Sequence, residues 1–139
     1  MREIEFRGKD IENGEWVFGD LHTLCDKPHI HTEKSKFPYA GKRSFVIPET
    51  IGQFTGLLDK NGKKIYEGDI VRHPYVDPIF RDLVESKDGD GVTSEVVFHD
   101  GAFVVKYDVN DYIYLDGFTR NGHVEVIGNI HDNPELINK

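Results

Sequence analysis

The stretch Glu95-Val96-Val97-Phe98-His99-Asp100-Gly101-Ala102-Phe103-Val104-Val105-Lys106 decides the fold class. Asp-Gly accepts the positive φ angles that a two-residue hairpin turn demands. A turn at Asp100-Gly101 sets Phe98 opposite Phe103, Val97 opposite Val104, Val96 opposite Val105 and Glu95 opposite Lys106. An aromatic pair, two aliphatic pairs and an ion pair thus fall into register together, as an antiparallel ladder requires.

The same turn signal recurs along the chain. Asn-Gly stands at 13–14, 61–62 and 121–122, and Asp-Gly at 88–89, 90–91, 100–101 and 116–117. Seven such dipeptides in 139 residues argue for an antiparallel β protein. A two-residue turn at Asn61-Gly62 would pair Leu58 with Ile65 and Lys60 with Lys63. At Asn13-Gly14, Ile11 would face Trp16 but has the wrong parity to share a face with Phe6. A bulge or a longer turn must intervene there.

Further candidate strands are Asp69–His73, Ser94–His99, Ala102–Tyr107, Tyr112–Leu115 and His123–Ile130. Short strands joined by tight turns suggest a small SH3-like barrel. Helix is scarce. Asp132-Asn133-Pro134-Glu135-Leu136 offers a cap followed by Pro, so a short C-terminal helix is expected. Asp77-Pro78 opens a run whose Ile79, Phe80, Leu83 and Val84 would share one helical face, with a loop insertion as the alternative. Residues 26–43 read as a long loop or an irregular strand. The expected class is mainly β (α+β). It comprises a β-hairpin subdomain over residues 1–60 with a loop at 22–43, and a barrel subdomain over 61–139 with an insertion at 73–93.

Composition narrows the function. Apolar residues make up 37% of the chain and aromatic residues 12%, enough for a core without disulfides or metals. The single cysteine, Cys25, permits no internal disulfide, and the charged N-terminus carries no apolar run of signal-peptide length. A cytoplasmic protein, with no membrane partner, is expected. The net charge of −8 is uneven: −1 over residues 1–69 and −7 over 70–139. An acidic surface repels phosphate, so generic nucleic-acid binding is not expected. Solubility explains the charge most simply, and a surface that imitates nucleic acid is the alternative.

Candidate chemistry is sparse. His29 and His31 would lie on one face of a strand with Cys25 close in sequence, but the spacing matches no common zinc knuckle. His22, His73, His99, His123 and His131 are dispersed, and surface histidines in a loop are the expectation. Asp88-Gly89-Asp90-Gly91 lacks the ligand spacing of an EF-hand. No serine sits in a nucleophile elbow, and no Gly-rich phosphate loop is present. Glu67 and Asp69 share one side of an extended segment. They could act as acid and base, or cap a turn through backbone hydrogen bonds. No cofactor, no metal and no catalytic residue are therefore expected.

Residues 46–71, from Val46-Ile47-Pro48-Glu49-Thr50-Ile51-Gly52-Gln53-Phe54-Thr55-Gly56 to Tyr66-Glu67-Gly68-Asp69-Ile70-Val71, closely resemble the YopX family of phage and prophage proteins. So do Arg2–Arg7, Trp16–Leu21, Asp100–Phe103 and Glu125–Leu136. By this resemblance the loop at 22–43 and the insertion at 73–93 are both variable segments. Where the family has Ala-Trp after the Phe-Arg pair, this chain has Gly8-Lys9. The resemblance implies a small phage-encoded protein of no established activity, built as an N-terminal β part joined to an SH3-like barrel. It carries over no catalytic residue. The resulting expectation is a non-catalytic accessory module that binds a host or phage protein, or a small ligand. Its candidate contacts are Trp16, Asp20, Gln53, Tyr66, Glu67 and Asp69. The alternatives are an enzyme using Tyr66, Glu67 and Asp69, and the acidic nucleic-acid mimic. The apolar segment Ser44-Phe45-Val46-Ile47 could pair with a second copy, so a homo-oligomer is also expected.

Overall fold

The structure, a computed structural model, describes residues 2–32, 43–76, 83–84, 91–108, 111–120 and 122–137. Its first strands are β1 (Phe6–Lys9), β2 (Trp16–Leu24), β3 (Lys27–His31), β4 (Arg43–Phe45) and β5 (Gly52–Leu58). They are followed by β6 (Lys64–Tyr66), β7 (Asp69–His73), β8 (Tyr75–Val76), β9 (Leu83–Val84), β10 (Val92–His99) and β11 (Ala102–Asp108). The chain ends with β12 (Asp111–Tyr114), a helix α1 (Leu115–Thr119), β13 (Glu125–Asn129) and a 3-10 turn at Pro134–Leu136. One antiparallel sheet has the order β4-β3-β2-β1-β5-β6 and a second has the order β12-β11-β10-β7-β13. The chain divides into two compact units, Met1–Gly56 and Leu57–Lys139, and the division falls within β5.

The hairpin at Asp100-Gly101 has the register its sequence specifies, with Glu95, Val96, Val97 and Phe98 opposite Lys106, Val105, Val104 and Phe103. Asp100 and Gly101 both take positive φ, 49° and 80°, which matches the twist of a type I′ turn. The Phe98 and Phe103 rings meet edge to face at 5.2 Å. Phe98 is 55% exposed, and Phe103 is half-buried against the core rather than inside it. Replacing Phe103 by Ala is therefore expected to cost about 2 kcal/mol, below the 3–5 kcal/mol of a fully buried ring. Gly101→Val should cost about 1 kcal/mol through the strained φ, and Glu95→Ala well under 1 kcal/mol. Denaturant melts check this order, and a Glu95→Ala variant less stable than Phe103→Ala would contradict it.

The main hydrophobic cluster of the second unit lies on one face of its sheet, while Ile70 and Val104 are buried on the other. In the cluster, Val71, Val96 and Val105 are fully buried with Ile65, Leu115, Phe118 and Val124. Ile113 and Val126 pack against them from the strands β12 and β13. Helix α1 supplies Leu115 and Phe118 to this core. Two expectations are corrected here. Leu115 begins a helix and does not end a strand, and Asp116-Gly117 lies inside that helix and not in a hairpin turn. Leu115 and Phe118 stand three apart, on one helical face, and their burial outweighs the turn preference of Asp-Gly. The second sheet accordingly stays open, with β12 and β13 as its two edges and no closed barrel.

The turn before β6 also differs from its expected form. The Asp59 N–H donates to the Lys63 carbonyl at 2.8 Å, so Asp59, not Lys60, stands opposite Lys63. Three residues, Lys60-Asn61-Gly62, make the turn, and Gly62 takes the left-handed φ of 80°. A one-residue slip inverts the faces of a strand. Leu57 thus packs on the core while Leu58 is 50% exposed.

In the first unit, β1 pairs with β2 through Phe6–Gly19, Arg7–Phe18, Gly8–Val17 and Lys9–Trp16. Ile11 does not pair with Trp16, because the longer turn intervenes: Asp10 N–H donates to Glu15 O, and Gly14 N–H to Asp10 O. The Asp10 carboxylate accepts the Glu12 N–H at 2.8 Å and holds this turn. Lys27–His31 is a regular strand and not a loop, because Leu24 and Lys27 close a two-residue turn over Cys25-Asp26. Cys25 and Asp26 take φ of 51° and 63° without a glycine. Leu83–Val84 pairs with Tyr75–Val76 as a strand, which corrects the helical face drawn through Leu83 and Val84. Residues 77–82 and 85–90, with most of that insertion, lie outside the described residues. At the C-terminus, Pro134–Leu136 forms a single 3-10 turn where a short helix is expected.

Candidate functional site

The residues singled out in sequence are divided between the two units. In the first unit, Trp16 lies under the Arg7 guanidinium at 4.6 Å and the Lys9 ammonium at 5.4 Å. These are cation–π contacts of a cross-strand cluster. Gln53 stands opposite Phe6 on the neighbouring strand. Asp20 is opposite His31.

Tyr66, Glu67 and Asp69 belong to the second unit and to a tight turn. Gly68 takes φ of 92°, and the buried Asp69 carboxylate accepts the Tyr66 N–H at 2.8 Å. The turn is knit to its neighbours, Gly68 N–H to Val96 O and Ile130 N–H to Gly68 O. Tyr66 is 5% and Asp69 2% exposed, so this pair is closed to a substrate. Glu67 acts on Glu95. Burial raises the Glu95 carboxyl above its ordinary range, the Glu67 charge adds to that, and Lys106 opposes it.

A serine–histidine pair, absent from the sequence reading, lies in the second unit. The His73 Nδ1 faces the Pro74 carbonyl at 2.8 Å, and Nε2 faces the Ser94 hydroxyl at 2.7 Å. A carbonyl only accepts, so Nδ1 carries the proton and Ser94 donates to Nε2. Burial depresses the His73 pKa. The arrangement has the donor order of a nucleophile and its base. However, His73 and Ser94 are 1% and 2% exposed, and the Phe118 ring lies 4.5 Å from the imidazole. The pair is a satisfied element of the core.

The first unit carries two features open to a ligand. One is a cavity of about 330 Å³ lined by Ile11, Asp26, Lys27, Pro28, Phe45, Val46 and Pro48. Its apolar wall forms where Val46 N–H bonds to Pro28 O and Ile11 N–H to Phe45 O. The longer turn around Asp10 leaves Ile11 58% exposed at this wall. Asp26 and Lys27 supply charge beside it.

The other is a face of histidines. The rungs His22–His29 and Asp20–His31 put those side chains on one side of the β2–β3 ladder. The His22 ring centroid is 4.4 Å from that of His31 and 5.6 Å from that of His29. His29 Nε2 and His31 Nε2 are 3.1 Å apart. Phe45, opposite His29 on β4, packs its ring at 5.5 Å. Burial lowers the His31 pKa, His22, His29 and Arg43 lower it further, and Asp20 opposes them. Among the described residues, as their side chains stand, no three His, Cys, Asp or Glu groups are arranged to hold a metal. His29 and His31 share one face of a strand as their spacing suggests, and the expectation of surface loop histidines is corrected by the ladder, which also brings in His22. The alternation His29-Ile30-His31 gives the first two, and only the rung to His22 needs the hairpin register.

The architecture is that of a mainly β protein with two antiparallel sheets. Also among the described residues, no helix is long and apolar enough to cross a membrane. Residues 5–138, nearly the whole chain, match the YopX protein family, and the chain belongs to it. No curated protein matches the chain. Among solved structures, the crystal structure of protein EF1440 from Enterococcus faecalis is similar in fold, with a TM-score of 0.58. The two are 24% identical over 99% of each chain.

Proposed function

We propose that the protein is a non-catalytic binding module whose N-terminal unit receives a small, mainly apolar ligand. The observation that carries this reading is the cavity at Ile11, Phe45, Val46 and Pro48. Its volume of about 330 Å³ lies at the lower end of the range of small-molecule sites. An apolar wall supplies the area for affinity, and Lys27 and Asp26 offer charges that could orient a polar group. The enclosed His73–Ser94 and Tyr66–Asp69 pairs support a role without catalysis.

Titration of the full chain with apolar fragments, followed by ¹H–¹⁵N NMR, tests the proposal. Amide shifts should concentrate at Ile11, Lys27, Phe45 and Val46. Ile11→Trp, at a side chain already exposed, should fill the cavity and weaken fragment binding by at least about tenfold. Shifts confined to the second unit, or binding unchanged by Ile11→Trp, would reject this reading.

A further inference from the structure

We propose that His22, His29 and His31 form a binding site for one divalent late-transition ion of the zinc class. Imidazole nitrogens are the favoured ligands of such ions. Two of them on one ion, at about 2.0–2.1 Å each and with angles between square and tetrahedral, stand about 2.9–3.4 Å apart. His29 Nε2 and His31 Nε2 are 3.1 Å apart.

A hydrogen-bonded imidazole pair has a similar separation, so the rest of the face decides the assignment. A hydrogen bond needs two rings, and the ladder brings three, with His22 directly across from His29. The rings differ in freedom. His29 is 4% exposed and backed by Phe45, and its Nδ1 has no hydrogen-bond partner, so its polar contact is made through Nε2. This burial fixes the nitrogen that faces His31. His22 is exposed. With its ring already 4.4 Å from that of His31, rotation about its side-chain bonds can bring in a third nitrogen. Asp20, across from His31, adds a negative charge on the same face, while Arg43, the partner of His31 on β4, is exposed and long enough to turn away. Cys25 belongs to the turn of the hairpin and is not assigned as a ligand.

The test is titration of the full chain, purified without a histidine tag, with Zn²⁺ by calorimetry. Long-range ¹H–¹⁵N spectra of the imidazoles accompany it. One Zn²⁺ per chain should bind, and the Nε2 resonances of His29 and His31 should move together. His22→Ala and His31→Gln, at an exposed and a half-buried position, should each weaken binding by at least about tenfold, while Cys25→Ser should leave it unchanged. Circular dichroism of each variant establishes that the fold is retained. Absence of stoichiometric Zn²⁺ binding would overturn the site. So would affinity indifferent to His22→Ala and His31→Gln, or lost with Cys25→Ser.

Discussion

Asp59→Ala is expected to lower the stability of the protein by about 3–5 kcal/mol, although Asp59 belongs to no strand. Its Oδ1 accepts the N–H groups of Asn61 and Lys63 at 2.8 and 2.9 Å, and its Oδ2 accepts the Val126 N–H at 3.0 Å. One carboxylate thus closes the turn before β6 and ties it to β13, 67 residues away. The side chain is 7% exposed, so alanine would leave three backbone donors with little access to water. Each orphaned donor costs about 1–3 kcal/mol. Asp59→Asn keeps the acceptor toward the turn and faces an amide to Val126, so its loss should be less than half as large.

The pH dependence follows from the same contacts. Burial alone would raise the Asp59 pKa, but the bonds from Val126, Lys63 and Asn61 and the Lys63 charge bring it below the ordinary value of 3.8. A depressed carboxylate contributes stability that is complete above the unfolded value and lost as pH falls through the folded one. The difference between wild type and Asp59→Ala should therefore be full at pH 7 and shrink only below about pH 3.8. Urea melts at both ends of that range measure it. A difference under 1 kcal/mol at pH 7 would mean that Asp59 is not the tie between turn and sheet.

Local chemistry made the Asp100-Gly101 hairpin legible, because turn and cross-strand pairs agree within twelve residues. Helix α1 was not legible. Its five residues include Asp116-Gly117, a stronger local signal for a turn than for a helix, and only the burial of Leu115 and Phe118 reverses it. The Asn61-Gly62 slip has the same origin. The dipeptide allows two-residue and three-residue turns alike, and the choice depends on Asp59 reaching Val126, a contact that no local window contains.

The candidate sites divide in the same way. Asp69 as a turn cap was readable from Gly68-Asp69, since tight turns leave backbone donors in need of an acceptor. The cavity arises from three separate segments, around Ile11, Lys27 and Phe45, and has no sequence signature. The histidine face needed the strand assignment first. Once Leu24 pairs with Lys27, the rung His22–His29 follows by counting. The obstacle was the turn itself, because Cys25-Asp26 adopts left-handed angles that sequence rules reserve for Asn-Gly and Asp-Gly.

Gly19→Ala should cost about 3 kcal/mol or more, chiefly for a steric reason that adds to the strain of its φ of +157°. A Cβ at Gly19 would lie 1.9 Å from the His31 carbonyl oxygen and 2.8 Å from its carbon. Both atoms are backbone, so no rotamer change relieves the clash. The strand end at His31 must move by more than an ångström, and the rung Asp20–His31 beside it must break. Gly14→Ala is the control in the same unit. Gly14 has φ of +72° and nothing within 4 Å of the added carbon, so it pays only for the left-handed backbone, about 1 kcal/mol. Denaturant melts of the two variants separate the causes, and the His31 amide and imidazole resonances should shift in Gly19→Ala alone. Equal losses at the two positions, with His31 unmoved, would show that β2 and β3 do not approach at Gly19. The ladder that brings His22, His29 and His31 together would then lose its register.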